Sequence, residues 1–595
     1  MKSRYILLSI VASLLSFINT SCNEDCDHLI LKGQDAYITS CSVKLSSASF
    51  GATFIKDTVM VQVPNYVELY GTSVVITISE GAEITPNPTS ILDWSMPVEF
   101  TVTSLNGTPN KYVVNIVKTT DSKVYDGAVS IGSQTELNNF FSSGYTQVKN
   151  IELYNNGGRD PIKDLSVLSV LKEVNGNIDI ININARELVF ENLTRAGSIF
   201  IHSIAATKVN FPKLEFVAER FQIGKNDPGV LPATHTEMEE VNLPSLEYVG
   251  GSLTLYQCGK LESLESLSKL KHVGDNLTLR GGLYTNLKGL ENLSTINGDL
   301  YIDGRLESFE GFNVKHVGGM LTIYCEDVKG DLKPLSSIKY IGTGLTLMNN
   351  NFLTDLKGLE NIETPIIDIR KFLALTSLEG FPKTKNFNYI SLIGLSSLES
   401  LEGMAHVEQI KYNFYFEGMA KLTSLSGLDN LKYIGGGLSI YNSELLKNVD
   451  ALSNLETVGG ALKLQELESL TSVNGLSKIT AVDEIYLYKL KSLTSLKGLD
   501  NITKVNTNVT ILTLTELTNL DDLKNLTEVF SNVVNYLRFE GNTKLADYSG
   551  ISHLLSQYVG VKYRIKIGSR NFYNPTKQDI LDEKWTGEGG SGYNS

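Results

Sequence analysis

The residue types best suited to metal chemistry gather in one irregular stretch, His235-Thr-Glu237-Met-Glu239-Glu240. An imidazole and two nearby carboxylates are metal-ligand types, but no second cluster elsewhere completes a ligand set. Only seven histidines are present, and His272 and His316 fall in the slot that Tyr248, Tyr340 and Tyr433 fill in sister repeats, so they read as framework. There is no H-E-x-x-H, no G-x-S-x-G elbow and no phosphate-binding loop. Aspartate and glutamate are plentiful, yet they occupy variable repeat positions where a solvated surface explains them better than a glycosidase pair. The expectation is a protein that binds without catalysing, with no cofactor and no bound metal.

Tyrosine supplies the other candidate chemistry. Tyr415, Tyr441, Tyr486 and Tyr488 recur at positions inside or just after an L-x-L-type strand pattern, as do Tyr256, Tyr301 and Tyr324. Thr254, Thr278, Thr322, Thr346, Ser439 and Lys463 fill the same slots in other copies. Threonine is expected on any exposed strand. Tyrosine combines apolar area with a polar tip and is enriched at binding surfaces. Such rings suit protein contacts, and they also suit stacking on sugar rings. The plainer reading is that tyrosine ladders merely cover the sheet. Tyr415, Tyr441, Tyr486 and Tyr488 are expected on one sheet face within about four coils.

The elements that position these rings come from an internal repeat. From about residue 170 a unit of roughly 24 residues recurs, clearest in Leu431-Lys-Tyr-Ile434-Gly-Gly-Gly-Leu438-Ser-Ile440 and Leu455-Glu-Thr-Val458-Gly-Gly-Ala-Leu462-Lys-Leu464. The final L-x-L sends two side chains to one face of a short strand and exposes the residue between. One such strand cannot bury its apolar face alone, so the copies must stack in parallel into a β-solenoid, here of about sixteen coils. The L-x-x-L-x-x-L blocks, as in Leu422-Thr-Ser-Leu425-Ser-Gly-Leu428, supply an opposite wall. Paired glycines before the strand (Gly250-Gly251, Gly318-Gly319, Gly435-Gly436, Gly459-Gly460) are expected to supply positive φ at a sharp corner. The coil beginning at Leu214 runs over length, and its insertion at 224–240 is a candidate binding loop. Cys258 and Cys325 lie three repeats apart, roughly 14 Å, too far to bridge, and are expected as buried free thiols. A disulfide between Cys26 and Cys41 is left open.

The repeated V/I-G-G-x-L-x-I strand resembles the receptor L domain, the leucine-rich right-handed β-helix of insulin and growth-factor receptor ectodomains that also occurs in microbial surface proteins. The resemblance covers about 150 to 540. This array is longer and lacks cysteine-rich modules between paired domains, so what carries over is a binding solenoid rather than receptor-like signalling. Ser133-Gln-Thr-Glu136 reads as a capping box opening an N-terminal cap helix through Leu137, Phe140 and Phe141. Closing elements are expected at Ile551 to Leu555 and Val559 to Ile567, then a short helix with Asn574 as N-cap and Pro575 at its first position.

Upstream, residues 36–118 alternate with period two in short runs: Ser40–Leu45, Val59–Val63, Val74–Ser79, Val98–Thr103 and Tyr112–Val117. Thr85-Pro86-Asn87-Pro88 and Asn106-Gly107 punctuate them. The runs resemble the Ig-like domains that follow the lipid anchor in many Bacteroidetes surface lipoproteins, which implies a small β-sandwich acting as a spacer. At the N-terminus, Lys2 and Arg4 precede an apolar run from Tyr5 to Ile18, too short to span a bilayer and suited to a signal peptide. Thr20 and Ser21 before Cys22 resemble the lipobox of bacterial lipoproteins, which implies lipidation of Cys22. Glu24, Asp25 and Asp27 resemble the export tag that places Bacteroidetes lipoproteins on the outer face of the outer membrane.

The formal net charge is −14, and no stretch concentrates Lys and Arg on a face, so nucleic acid is excluded as a partner. The sequence therefore divides into a signal peptide (1–21), a lipidated tether (22–35), an Ig-like β-sandwich (36–118), a linker (119–130), a leucine-rich solenoid with its N-terminal cap (131–548), a C-terminal cap (549–585) and a disordered tail (586–595). Contact with the membrane is expected through the lipid anchor only. The leading functional expectation is a surface lipoprotein that binds a protein or glycoprotein through the solenoid's exposed face. The alternative is a surface glycan-binding protein that captures polysaccharide for uptake.

Overall fold

A computed structural model describes residues 36–45, 49–64, 67–119, 123–202, 205–224, 237–256, 258–529, 537–559, 565–568 and 570–587. The signal peptide, Cys22, Cys26, the tether, His235, most of the insertion at 224–240 and the last eight residues lie outside them.

The chain is mainly β, an N-terminal β domain followed by a parallel β-solenoid of about 17 turns. The first domain is a seven-stranded sheet ordered Ser73–Ile78, Ile38–Lys44, Ser49–Ile55, Thr58–Pro64, Pro109–Thr119, Val98–Thr103 and Glu83–Thr85. Its pairings are antiparallel except that of Thr58–Pro64 with Pro109–Thr119. Alternation does the sorting: Val59, Val61 and Val63 are buried, while Met60 and Gln62 are partly exposed. These valines pack with Trp94, Phe100, Val102 and Val114 into a core separate from the solenoid's. The strands Ser49–Ile55 and Glu83–Thr85 add two to the five read from sequence.

In the solenoid each coil contributes one strand to a long parallel sheet. Leu438 and Ile440 point inward and are buried, as are Leu462 and Leu464 of the next coil, with which they pair in register. Each such side chain removed from water stabilises the stack by about 1.5–3 kcal/mol. The opposite wall holds Leu422, Leu425 and Leu428, all buried.

The corner glycines have a different cause from the one expected. None of Gly250, Gly251, Gly318, Gly319, Gly435, Gly436, Gly459 or Gly460 has a positive φ. Their constraint is steric: a Cβ on Gly435 would lie 2.2 Å from the Lys411 carbonyl oxygen of the preceding coil. Positive φ instead falls at the end of the strand or just after it, at Asn349, Lys371, Gly394, Gly418, Asn442, Glu466, Lys489, Thr513 and Gly541. That column of left-handed residues turns each coil away from the sheet, and most of its members are not glycine.

A further device ties the coils together. Asn430 donates through Nδ2 to the Ala405 carbonyl at 2.7 Å, Asn454 to Asp429 at 2.8 Å, Asn501 to Ser477 at 2.7 Å and Asn525 to Asp500 at 2.8 Å. Each amide reaches back one coil and satisfies a turn carbonyl that strand pairing leaves over.

Both ends are closed. The helix Gln134–Phe141 buries Leu137 and Phe141, while Phe140 is only partly buried against Tyr125 and Tyr145. Ser133 caps it, but Glu136 returns its carboxylate to the Gly132 N–H, one residue before the cap. At the far end Ser552–Tyr558 is a helix and Ile565–Ile567 pairs with Leu537–Phe539. The last helix is Lys577–Leu581, capped by Thr576 in a reciprocal box with Asp579, two residues beyond the expected Asn574. Asn574 is buried and accepts from Asn571 Nδ2 at 3.0 Å. Part of the expected linker is also corrected: Val124–Ile131 is a strand paired in parallel with Gln147–Tyr154, so the solenoid begins inside 119–130.

The N-terminal domain packs directly on the solenoid. Arg195 and Glu173, both nearly fully buried, approach to 3.7 Å, and Arg195 Nη2 donates to the Thr39 carbonyl at 3.0 Å. Arg195, Phe216, Tyr248 and His272 share one register column. Tyr37 meets the Tyr248 ring at 5.3 Å and the His272 ring at 5.0 Å. The histidine slot of the repeat is thus used to dock the first domain.

Candidate functional site

The outward side chains of the long sheet form columns that the strand register sets. One runs Ser391, Tyr415, Ser439, Lys463, Tyr486 and another Glu417, Tyr441, Gln465, Tyr488. A third, at the start of the strands, carries Ile366, Tyr389, Asn413, Gly437, Ala461 and Glu484. Small residues at Gly437, Ser439 and Ala461 therefore leave a gap in the side-chain cover. The result is a recess of about 480 Å³ with Gly435, Gly436, Gly459 and Gly460 along one edge. Tyr389, Tyr415 and Tyr441 wall it on one side, Lys463 and Asp483 on the other.

Each wall is held in place. The rings of Tyr415 and Tyr441 lie 5.2 Å apart, tilted by 43°. The Tyr415 hydroxyl donates to Glu417 Oε2 at 2.7 Å. Burial, then this bond to Glu417, raises the Tyr415 phenol well above its ordinary value, and burial raises that of Tyr389 as well, so both hydroxyls stay protonated. Lys463 pairs with Glu484 at 2.8 Å and sits 5.9 Å from the Tyr486 ring. Asn506 donates to Asp483 Oδ1 at 2.8 Å, and Asn413 Oδ1 accepts from the Gly437 N–H at 2.7 Å. Half-buried aromatic faces beside fixed carboxylate, ammonium and amide groups can stack on apolar ring faces and hydrogen-bond their hydroxyls.

The structure brings together some of the tyrosines read from sequence. Tyr415 and Tyr441 share the recess. Tyr486 and Tyr488, with ring centres 6.5 Å apart, stand on one strand just beyond Lys463. Tyr256, Tyr301 and Tyr324 form a separate group on the same sheet. The sequence reading missed Tyr389, Asn413, Asp483 and the small-residue floor. A signal was present in the successive copies Gly-Gly-Gly-Leu438 and Gly-Gly-Ala-Leu462, where two adjacent repeats carry no more than a methyl group at the outward position.

Among the described residues no group of three or more His, Cys, Asp and Glu is arranged to hold a metal ion. Glu237 forms an ion pair with Lys260, and Glu240 pairs with Lys208 at 3.4 Å. Cys41, Cys258 and Cys325 are free and buried. No helix among the described residues is long and apolar enough to cross a membrane.

A family model described as SGBP, N-terminal matches residues 42–116, the bulk of the first β domain. None of the curated proteins matches the chain.

Proposed function

We propose that this protein is a surface glycan-binding protein that captures polysaccharide on the outward face of its solenoid. The carrying observation is the match of residues 42–116 to the N-terminal domain of surface glycan-binding proteins, a Bacteroidetes-type, outer-membrane-associated group. The recess walled by Tyr389, Tyr415 and Tyr441 supplies chemistry of the kind a sugar polymer needs. These findings favour the glycan reading over the protein or glycoprotein ligand that the sequence first suggested, for which there is no comparable support. The protein acts by binding alone, without catalysis. Lipidation at Cys22 would tether it to the outer leaflet, with membrane contact through that anchor only. The solenoid is read as a relative of the receptor L domain put to glycan capture.

The test is electrophoresis of the chain lacking its leader through gels containing mixed-linkage β-glucan, xyloglucan, glucomannan, α-mannan, amylopectin or inulin. Retardation by one polymer, lost on Tyr415→Ala with Tyr441→Ala, supports the reading. Migration unaffected by every polymer overturns it, and retention on immobilised matrix protein would then favour a protein ligand.

A further inference from the structure

Tyr301 and Tyr415 occupy the same outward column of the long sheet, five strand steps apart. At the spacing of parallel strands this is about 24 Å. Tyr301 belongs to a second aromatic platform. Its ring lies 5.9 Å from Tyr324, and the Arg280 guanidinium sits between Tyr301 at 5.5 Å and Tyr256 at 5.2 Å. Asp303 holds Arg280 from the neighbouring strand at 3.5 Å. The platform therefore repeats the chemistry of the recess, aromatic faces beside fixed charge, without its concavity.

Between the two clusters the shared column carries only short side chains, Thr322, Thr346, Asp368 and Ser391, the last three covered by their neighbours. Arg370, the long side chain beside them, is folded onto Asp368, with Nη2 2.6 Å from Oδ2. Nothing in that column rises to separate the platform from the recess.

We infer that the Tyr256–Tyr301–Tyr324 platform is a second subsite for the same linear polysaccharide, which lies across the strands along the stacking axis of the solenoid. The inference rests on the glycan reading and adds to it the ligand's form: a chain long enough to span about 24 Å, bound internally rather than by its end. The recess fixes one stretch of polymer. The platform then meets the continuing chain at high effective concentration, where two modest sites can exceed either one by about 10²–10⁴ in affinity.

The experiment measures dissociation constants by calorimetry for the polymer that retards the chain, and for a ladder of its own hydrolysis oligomers. Wild-type protein is compared with Tyr256→Ala/Tyr301→Ala and with Tyr415→Ala/Tyr441→Ala. Affinity is expected to climb at least tenfold once the oligomers are long enough to bridge both clusters. The platform variant is expected to cut the ratio of polymer to short-oligomer affinity at least tenfold, its binding of short oligomers showing that it is folded. The recess variant is expected to weaken short oligomers and polymer together. If affinity is independent of length and the platform variant keeps the wild-type ratio, the second subsite is overturned while glycan binding stands. If no polymer of the panel is bound by wild type, both readings fall together.

Discussion

The guanidinium of Arg195, on a solenoid strand, lies 4.4 Å from the ring centre of Phe54 in the N-terminal domain. It also lies 3.9 Å from the ring centre of Phe216, whose ring stacks on Phe54 with centres 4.9 Å apart. One cation thus contacts a stacked pair of rings, one from each domain, while its carboxylate partner, Glu173, lies 3.7 Å away. Gly51 completes the approach, since a Cβ there would sit 2.0 Å from Glu173 Oε1. The N-terminal domain is seated on the solenoid rather than suspended from it, which fixes the sheet's orientation relative to whatever precedes the chain's first strand.

Arg195→Ala is therefore expected to be one of the most damaging single changes at the junction. It removes both ring contacts and leaves Glu173 buried without its cation, a loss of about 3–5 kcal/mol. Denaturant unfolding should split into an early transition of the N-terminal domain and a later one of the solenoid. Replacing both charges, Arg195→Met with Glu173→Gln, should recover much of the loss. A variant Arg195→Ala that unfolds at the wild-type midpoint in a single step would rule out this account of the junction.

The same pair makes the junction sensitive to pH. Burial pushes the Glu173 carboxyl from its ordinary 4.5 up to about 7, and the neighbouring Arg195 only partly offsets this. A folded-state pKa above the unfolded one means the contribution is fully present below about pH 4.5. It is lost as pH rises through 7, by about 3 kcal/mol at most. The wild-type unfolding midpoint should fall between pH 5 and pH 7.5, and Glu173→Gln should flatten that fall. An equal slope in both proteins would assign the pH dependence elsewhere.

At the recess the register provides a clean way to block binding without disturbing the fold. Ala461 shares its column with Tyr389 three coils before it and with Glu484 one coil after, so the position accepts a large side chain. Ala461→Tyr should fill the recess, keep the wild-type melting temperature and weaken polysaccharide retention at least tenfold, about 1.4 kcal/mol. Retention that survives a filled recess would move the site elsewhere on the sheet.

How far these features were legible in the sequence follows from their range. The inward and outward sides of every strand were readable because L-x-L alternation is local, and it put Tyr415 and Tyr441 on one face. The recess was harder, since it depends on what adjacent repeats lack, at Gly437 and Ala461. The turn after the strand carried no signature because Asn442, Glu466, Lys489 and Thr513 adopt the same left-handed conformation with different side chains. The junction was invisible: Arg195 and Phe54 are paired by tertiary contact alone, and no periodicity links them.

The asparagine column offers a test of what holds coil to coil. Asn454 Nδ2 donates to the Asp429 carbonyl at 2.8 Å, and its Oδ1 accepts from Lys478 Nζ at 2.9 Å. Asn454→Ala leaves that carbonyl unmet and should cost about 1 kcal/mol. Asn454→Asp is expected to cost more, because it sets a carboxylate oxygen against the carbonyl where a donor had been. In a stack whose coils contact only their neighbours, losses at Asn454 and at the distant Asn525 should add within about 0.5 kcal/mol. Denaturant midpoints of the two single variants and the double variant measure this directly. If Asn454→Asp were as stable as wild type, the amide would not be bonded to the preceding coil, and strand pairing with core leucines alone would account for the stack.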